Sequence, residues 1–294
     1  MFNRIIQSSE LVSKTLKMNQ VSLIFMFLSV YLIMNIILCD RCCRISSRQL
    51  SYYKLIKSKV RSNNLILSRT AVRNVNECKE FALTKRALAF NYGLENNPYE
   101  WDFNTQNKQR IGIIKICQAL QCPELHNFTV FLKDKNYRYY SMYPSSILPG
   151  PNFTLICIPK TGVFVFSRNY LNYSQAQISC QKMNSSLAHI ISDERTDGLA
   201  KYISQNTPTF VGLSNRDHEK IWKNEFDEPL SCFKYRAWGE GEPSHTRGCV
   251  SIMKSSKAEG NPFWKVVPCD SQLHFICEIS PIYQSSYNQK HNRL

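Results

Sequence analysis

The longest apolar run is Val21 to Cys39, nineteen residues without a charge, preceded by Lys14 and Lys17. At 1.5 Å per residue it is long enough to reach across a bilayer. Beyond it the pattern becomes that of a folded chain. Between Glu77 and Phe90, the spacing of Phe81, Leu83, Ala87 and Phe90 sets most of them on one helical face and predicts a helix. Ile111 to Ile114 is a short β-branched run that predicts a strand, and an aromatic stretch at Tyr137, Tyr139 and Tyr140 follows Cys117 and Cys122. Val163 to Phe166 predicts another strand, Ser174 to Met183 an amphipathic helix with Ala176 and Cys180 inward, and Asp193 to Ser204 a further helix. Ser192 stands where it can cap that helix, with Asp193 and Glu194 at the positive end of its dipole. Phe210-Val211-Gly212-Leu213 has the pattern of a short buried strand, and two helices followed by several short strands describe an α+β domain.

A chain of 294 residues allows one large or two modest domains. Hydrophobic content of 43% with 20% charged residues excludes a disordered or collagen-like chain. Twelve scattered cysteines imply a disulfide framework and an oxidising compartment. That compartment bears on the apolar run. The more basic flank of Val21–Cys39 is the C-terminal one, with Arg41, Arg44 and Arg48, and a retained anchor would hold it and the cysteines in the reducing cytosol. A cleaved signal peptide over residues 1–40 suits both facts better than a signal-anchor, the alternative for that segment, and Cys39 is a plausible cleavage edge. Met18 would start a more ordinary signal peptide. Four N-x-Ser/Thr acceptors, Asn127, Asn152, Asn172 and Asn184, agree with a secreted glycoprotein.

The net charge of +15 is unevenly spread. Residues 41–159 carry eighteen basic and seven acidic groups (+11), whereas 160–280 carry fourteen and thirteen (+1). Residues 41–76 hold nine basic residues and no acidic one, and read as a self-repelling, solvated linker. A sharper reading makes residues 41–73 a patch for an anionic polysaccharide; outside the cell, nucleic acid is not the expected partner. Residues 77–157 form a second, cysteine-containing unit. The helix followed by Phe90-Asn91-Tyr92 resembles a PAN or apple module, but the cysteine pattern is incomplete and the region reads as a disulfide-bonded cap.

Residues 160–280 carry the most specific pattern. Tyr173, Ala176 and Cys180 fall at the offsets of a W-x-x-A-x-x-x-C helix, followed by Leu187-Ala188-His189-Ile190. Phe210-Val211-Gly212-Leu213 is similar to WIGL, Trp238-Gly239-Glu240-Gly241-Glu242-Pro243 to W-x-x-G-E-P, and Phe275-Ile276-Cys277-Glu278 to FICE. In this order the segments resemble a C-type lectin-like domain. The resemblance implies that family's α+β fold with a long loop and short antiparallel sheets, and disulfides Cys180–Cys277 and Cys249–Cys269. Residues 281–294 would be a tail.

Sugar-binding members of the family hold a Ca²⁺ that chelates sugar hydroxyls, and such a cation takes six to eight oxygen ligands. Here E-P-N becomes Glu242-Pro243-Ser244, the acidic position two residues before the next cysteine is Arg247, and W-N-D becomes Trp264-Lys265-Val266. Calcium at the usual sugar site is therefore not expected, and no cofactor is. The resemblance assigns ligand contact to the long-loop region at Glu240, Glu242, Ser244, Arg247, Trp264 and Lys265. One reading has Lys265 or Arg247 pairing with Glu242 and supplying the charge of the missing ion; the other treats them as unrelated surface charges. Exposed aromatics such as Trp222, Tyr235 and Trp238 are further contact candidates, although in the family resembled the residue at the place of Trp238 is more often core.

With the two lectin disulfides set, Cys42, Cys43, Cys78, Cys117, Cys122, Cys157 and Cys232 remain after signal cleavage. That is an odd number, so one thiol is free or bonded to another chain. Cys42 and Cys43 suit an interchain bond and a disulfide-linked oligomer, and Cys232 a bond into the 77–157 unit. Five of the six histidines, His126, His189, His218, His245 and His274, are dispersed and no nucleophile elbow, P-loop or H-E-x-x-H occurs, so the chain does not read as an enzyme. Two functions stay open. One is a secreted recognition protein binding a protein or glycan without calcium chelation. The other is a cross-linked extracellular matrix or cuticle component on anionic polysaccharide, as in the arthropod extracellular proteins that the layout resembles.

Overall fold

The computed structural model describes residues 25–26, 28–29, 52–96, 113–125, 131–144, 149–216, 221–255 and 260–282. Two strands, β1 (Lys54–Arg61) and β2 (Ile66–Ala71), come first. Asn74 then starts helix α1 (Val75–Thr84), its side chain accepting from the Asn76 and Glu77 amides. The helix closes by bonds from Arg86 N to Leu83 O and from Ala87 N to Ala82 O, with Arg86 at φ 53° where glycine is usual. Ala87 and Phe90 therefore leave the helix predicted over 77–90. Phe90 enters β3 (Ala89–Asn96), which with β4 (Ile113–Leu120) and β5 (Leu132–Ser141) completes an antiparallel sheet of order β1-β5-β3-β4-β2. Phe90 stacks on Tyr140 at 4.7 Å, and Cys78 of α1 is bonded to Cys117 of β4, pinning the helix to the sheet. On the strand side, buried Asn91 donates to Ser62 O and Gln118 Oε1 and accepts from Ser62 N.

The stretch expected as a solvated linker over 41–76 thus contains two strands and the start of a helix. In β1, Val60 is buried and Ile56 half-buried, while Lys54, Lys57 and Lys59 face solvent. A strand at a sheet edge commonly carries lysines, and that outward charge hides the short inward apolar pattern.

The second half follows as β6 (Phe153–Ile158), β7 (Gly162–Ser167), α2 (Tyr173–Lys182), β8 (Ser185–Leu187), α3 (Asp193–Ala200), β9 (Thr209–Asn215), β10 (Lys223–Asn224), β11 (Gly248–Met253), β12 (Phe263–Val267) and β13 (His274–Ile279). Asn172 and Gln175 form a reciprocal capping box at α2. Ser192 caps α3, which ends at Ala200 rather than Ser204. The main sheet path is β12-β11-β9-β13-β7-β6, with β13 parallel to β9 and antiparallel to β7. Gly212 of β9 is required by close packing, since a Cβ there would sit 2.6 Å from Leu187 O. Disulfides join Cys180 to Cys277 and Cys249 to Cys269.

The two halves pack as one unit over residues 49–294. Cys122–Cys157 ties the end of β4 to β6, Ile282 N donates to Met142 O, Tyr52 N donates to Ile282 O, and Arg86 pairs with Glu194 at 3.3 Å. Since Cys78, Cys117, Cys122 and Cys157 pair among themselves, the bond expected from Cys232 into that region is not made; Cys232 is nonetheless disulfide-bonded. Cys42, Cys43, Asn127, almost all of 1–40 and all but the first two residues of the 281–294 tail lie outside the described residues.

At the centre of the second half, Glu278 of β13 accepts from Arg195 Nη1 at 2.7 Å and from the His189 amide at 3.1 Å. The Glu278 and Arg195 side chains are only 11% and 14% exposed. Burial opposes the Glu278 charge, but Arg195 and the hydrogen bonds outweigh it and hold the carboxyl below its usual range. Burial pushes the His189 imidazole below its ordinary value despite Glu278 Oε2 at 3.5 Å. Replacing Arg195 by Met strands a buried carboxylate and should cost about 3–5 kcal/mol, measured by denaturant unfolding. Both shifts make acid destabilising. His189 contributes stability that is lost as pH falls below about 6.5 towards its lowered folded value, and Glu278 stability that is lost below about 4.3. The melting temperature should therefore drop in two stages, and His189→Gln should flatten the first while leaving the second.

Candidate functional site

The long loop between β10 and β11 is anchored by a ladder of aromatic rings. Trp264 of β12 is fully buried, and its ring meets Trp238 at 5.4 Å and Tyr235 at 5.3 Å, while Trp222 meets Trp238 at 5.3 Å. Trp264 N donates to Ala237 O and Gly239 N to Trp264 O, so the loop is stitched to the β12 backbone. Gly239 fits because a Cβ there would meet the Phe263 ring at 2.6 Å. Trp264 is accordingly a core residue and not the ligand contact expected from the sequence. Trp222, Tyr235 and Trp238 are half-buried rather than exposed, because each packs on the cluster that contains it.

Glu242, joined to Pro243 by a cis peptide, turns its carboxylate inward. Its Oε2 accepts from Ser244 N at 2.8 Å, Ser244 Oγ at 3.0 Å and Val266 N at 3.1 Å. Partial burial opposes its charge, yet these donors and the nearby Lys265 charge outweigh that and lower its pKa. Arg247 instead donates to the Arg216 carbonyl at 2.9 Å. Among the described residues no ion pair joins Glu242 to Arg247 or Lys265. Of the expected charge compensation, only the field of Lys265 is present, and hydrogen bonds do the rest. A Ca²⁺ would find one carboxylate oxygen already engaged by three donors, an exposed guanidinium and ammonium nearby, and Val266 in place of a carboxylate. The residues do not fit that ion here. Among the described residues no group of three or more His, Cys, Asp or Glu side chains converges as a metal site.

Beside this loop lies a broad cleft of about 930 Å³, walled by Tyr235, Trp238 and Phe263 and rimmed by Asp193, Asp197 and Glu240, with Asn206 and Asn261. Of the predicted contact residues, Glu240, Tyr235 and Trp238 line it. Asp193 and Asp197 lie one turn apart on α3, and both are exposed. The sequence marked Asp193 only as a helix-end charge; the i, i+4 spacing was the available signal for a shared acidic face. Arg236 also lines the cleft, and although its guanidinium is held by the carbonyls of Leu230, Phe233 and Tyr235 it keeps its charge, so the three carboxylates face one cation. Burial first, and then the Asp193 and Asp197 charges, raise the Tyr235 hydroxyl, which stays a donor at neutral pH.

The remaining predicted residues are dispersed. Asn152 and Asn184 are exposed at turns, whereas Asn172 is half-buried and its side chain caps α2. His189 is in the buried cluster around Glu278.

Comparison with known proteins gives the domain its family. The Lectin C-type domain model matches residues 169–279. Over 183 residues the chain is 28% identical to C-type mannose receptor 2 of Rattus norvegicus, covering 61% of this chain and 10% of that receptor. It is 29% identical over 115 residues to CD209 antigen-like protein D of Mus musculus, covering 39% of this chain and 46% of the relative. The chain thus spans a tenth of the first relative and under half of the second. Among solved structures, human lithostathine matches at 22% identity and a TM-score of 0.37, over 45% of this chain and 99% of that one. Ordered motifs, paired cysteines and the family match together make residues 169–279 a C-type lectin domain.

Proposed function

We propose that this lectin domain is a recognition module that takes a glycan in the cleft beside the long loop, without calcium chelation at Glu242. The observation that carries the calcium-free reading is Glu242, whose Oε2 already accepts from Ser244 and Val266. The cleft supplies what a hydroxyl-rich ligand needs: carboxylates at Asp193, Asp197 and Glu240, amides at Asn206 and Asn261, and aromatic walls for the apolar face of a sugar ring. Its three carboxylates outnumber the single Arg236 guanidinium in the lining, and this net negative charge favours neutral or amino sugars over acidic ones. The mode is binding, with no catalytic step.

We further propose an extracellular location, supported by the four disulfides of the described residues and the exposed sequons at Asn152 and Asn184. No helix among the described residues is long and apolar enough to cross a membrane.

A glycan array probed with the full chain in calcium and in EDTA tests the reading. Equal signals on neutral glycans are expected; a signal lost in EDTA and restored by CaCl₂ would overturn it. The double variant Asp193→Asn, Glu240→Gln should weaken binding about tenfold or more, since hydrogen bonds to charged groups are each worth about 1.5–3 kcal/mol. Undiminished binding by that variant would remove the cleft from the proposal.

A further inference from the structure

The surplus positive charge of the N-terminal half has a definite place in the fold. Strands β1 and β5 are neighbours and together carry seven basic residues against one acidic one. That acid, Asp134, already pairs with Arg61. Lys54, Lys59, Lys133, Lys135 and Arg138 are all exposed, and among the described residues none of the five makes an ion pair. Along β1 the lysines run over about 17 Å at the usual rise of a strand. The cross-strand pairs Ser58↔Arg138 and Val60↔Lys133 set these two β5 cations beside β1, with irregularities between Leu55 and Lys57 and between Ser58 and Val60. Protection of an edge accounts for the lysines of β1. It does not account for those of β5, which lies between β1 and β3.

We infer that this edge of the five-stranded sheet is a binding surface for a sulfated polysaccharide. The cations are carried by formed strands of a sheet whose helix is pinned by the Cys78–Cys117 bond, so the polymer meets folded structure instead of ordering a linker. Tyr137, Tyr139 and Tyr140 of β5 are buried, which leaves no ring on that strand to stack a nucleic-acid base. The disulfides place the surface in an oxidising compartment, where sulfated polymers are the abundant polyanions. The surface is separate from the acidic cleft of the lectin domain and stands whether or not that cleft takes a glycan.

Binding of the full chain to immobilised heparin across a salt series tests this. The variant Lys54→Gln, Lys133→Gln, Lys135→Gln, Arg138→Gln should lose about tenfold or more in affinity near 0.15 M salt, and its slope of log K against log salt should fall by about 3. A matched variant, Lys160→Gln, Lys182→Gln, Lys201→Gln, Lys234→Gln, should bind as the parent does. Acetylation footprinting of the unmutated chain reads the same surface without a variant, and bound heparin should shield Lys54, Lys59, Lys133 and Lys135. Equal retention by the edge variant, equal loss in the matched variant, or no shielding would overturn the inference. So would competition by single-stranded DNA or phosphatidylserine vesicles as effective as that by heparin. Glu240→Gln should leave heparin affinity unchanged, which keeps this outcome apart from that of the lectin cleft.

Discussion

The carboxylate of Glu278 is the constraint around which the lectin domain is arranged. It sits on β13, the strand that joins β7 to β9, and it draws Arg195 of α3 and the backbone of His189 to one point. Arg195 adds a bond to the His189 carbonyl and lies over the Phe164 ring of β7. One buried charge therefore fixes a helix, a connecting segment and two strands relative to one another. Such a pair adds little net stability over an apolar packing of the same shape, but losing one partner is costly. Its consequence is positional: the pair fixes Arg195 of α3 against the sheet, and in that arrangement Asp193 and Asp197 of the same helix line the cleft.

The loop across the cleft is held by a different means. The ring of Trp264 fills the core, the Trp264 backbone binds Ala237 and Gly239, and Glu242 accepts three hydrogen bonds from its own neighbourhood. These contacts order a loop that lacks the donors to be ordered by a divalent cation. Below it, Cys180–Cys277 closes a separation of 97 residues, worth about 4–5 kcal/mol by loss of chain entropy in the unfolded state. Cys249–Cys269 ties the far end of the loop to the residues that follow β12.

The lectin segment was legible because its signals are local and ordered. Helical spacing at Tyr173, Ala176 and Cys180 and a cap at Ser192 each act within a few residues, so they survive without knowledge of the fold. What escaped depends on distant partners. Trp264 looked like a contact residue because sequence does not show which face of a strand is buried. One reading paired Lys265 or Arg247 with Glu242 and the other left them as unrelated surface charges; Arg247 in fact donates to a backbone carbonyl at Arg216. The strands β1 and β2 were read as a solvated linker, because their polar outward positions outnumber the inward Ile56 and Val60. Cysteine number alone left the bonds of the N-terminal unit undecided, whereas the sheet brings Cys78 and Cys117 to a Cα separation of 5.4 Å.

The two proposed surfaces have opposite charge, and the fold supplies a reason that they can coexist. The acidic cleft is lined only by residues of the lectin half, which is nearly neutral overall, so its three carboxylates are a local concentration rather than part of a general field. The cations of β1 and β5 belong to the half with a net charge of +11 and have one carboxylate among them. Charges separated by more than about 8–10 Å of water at physiological salt are largely screened, so each surface acts mainly on a ligand in direct contact with it. On the two proposals, a polyanion suited to the sheet edge would be disfavoured at the cleft, and a neutral sugar suited to the cleft would gain nothing at the edge. The two proposals therefore call for ligands of different charge, and the disulfides Cys78–Cys117 and Cys122–Cys157 hold the edge in a folded unit with the lectin domain.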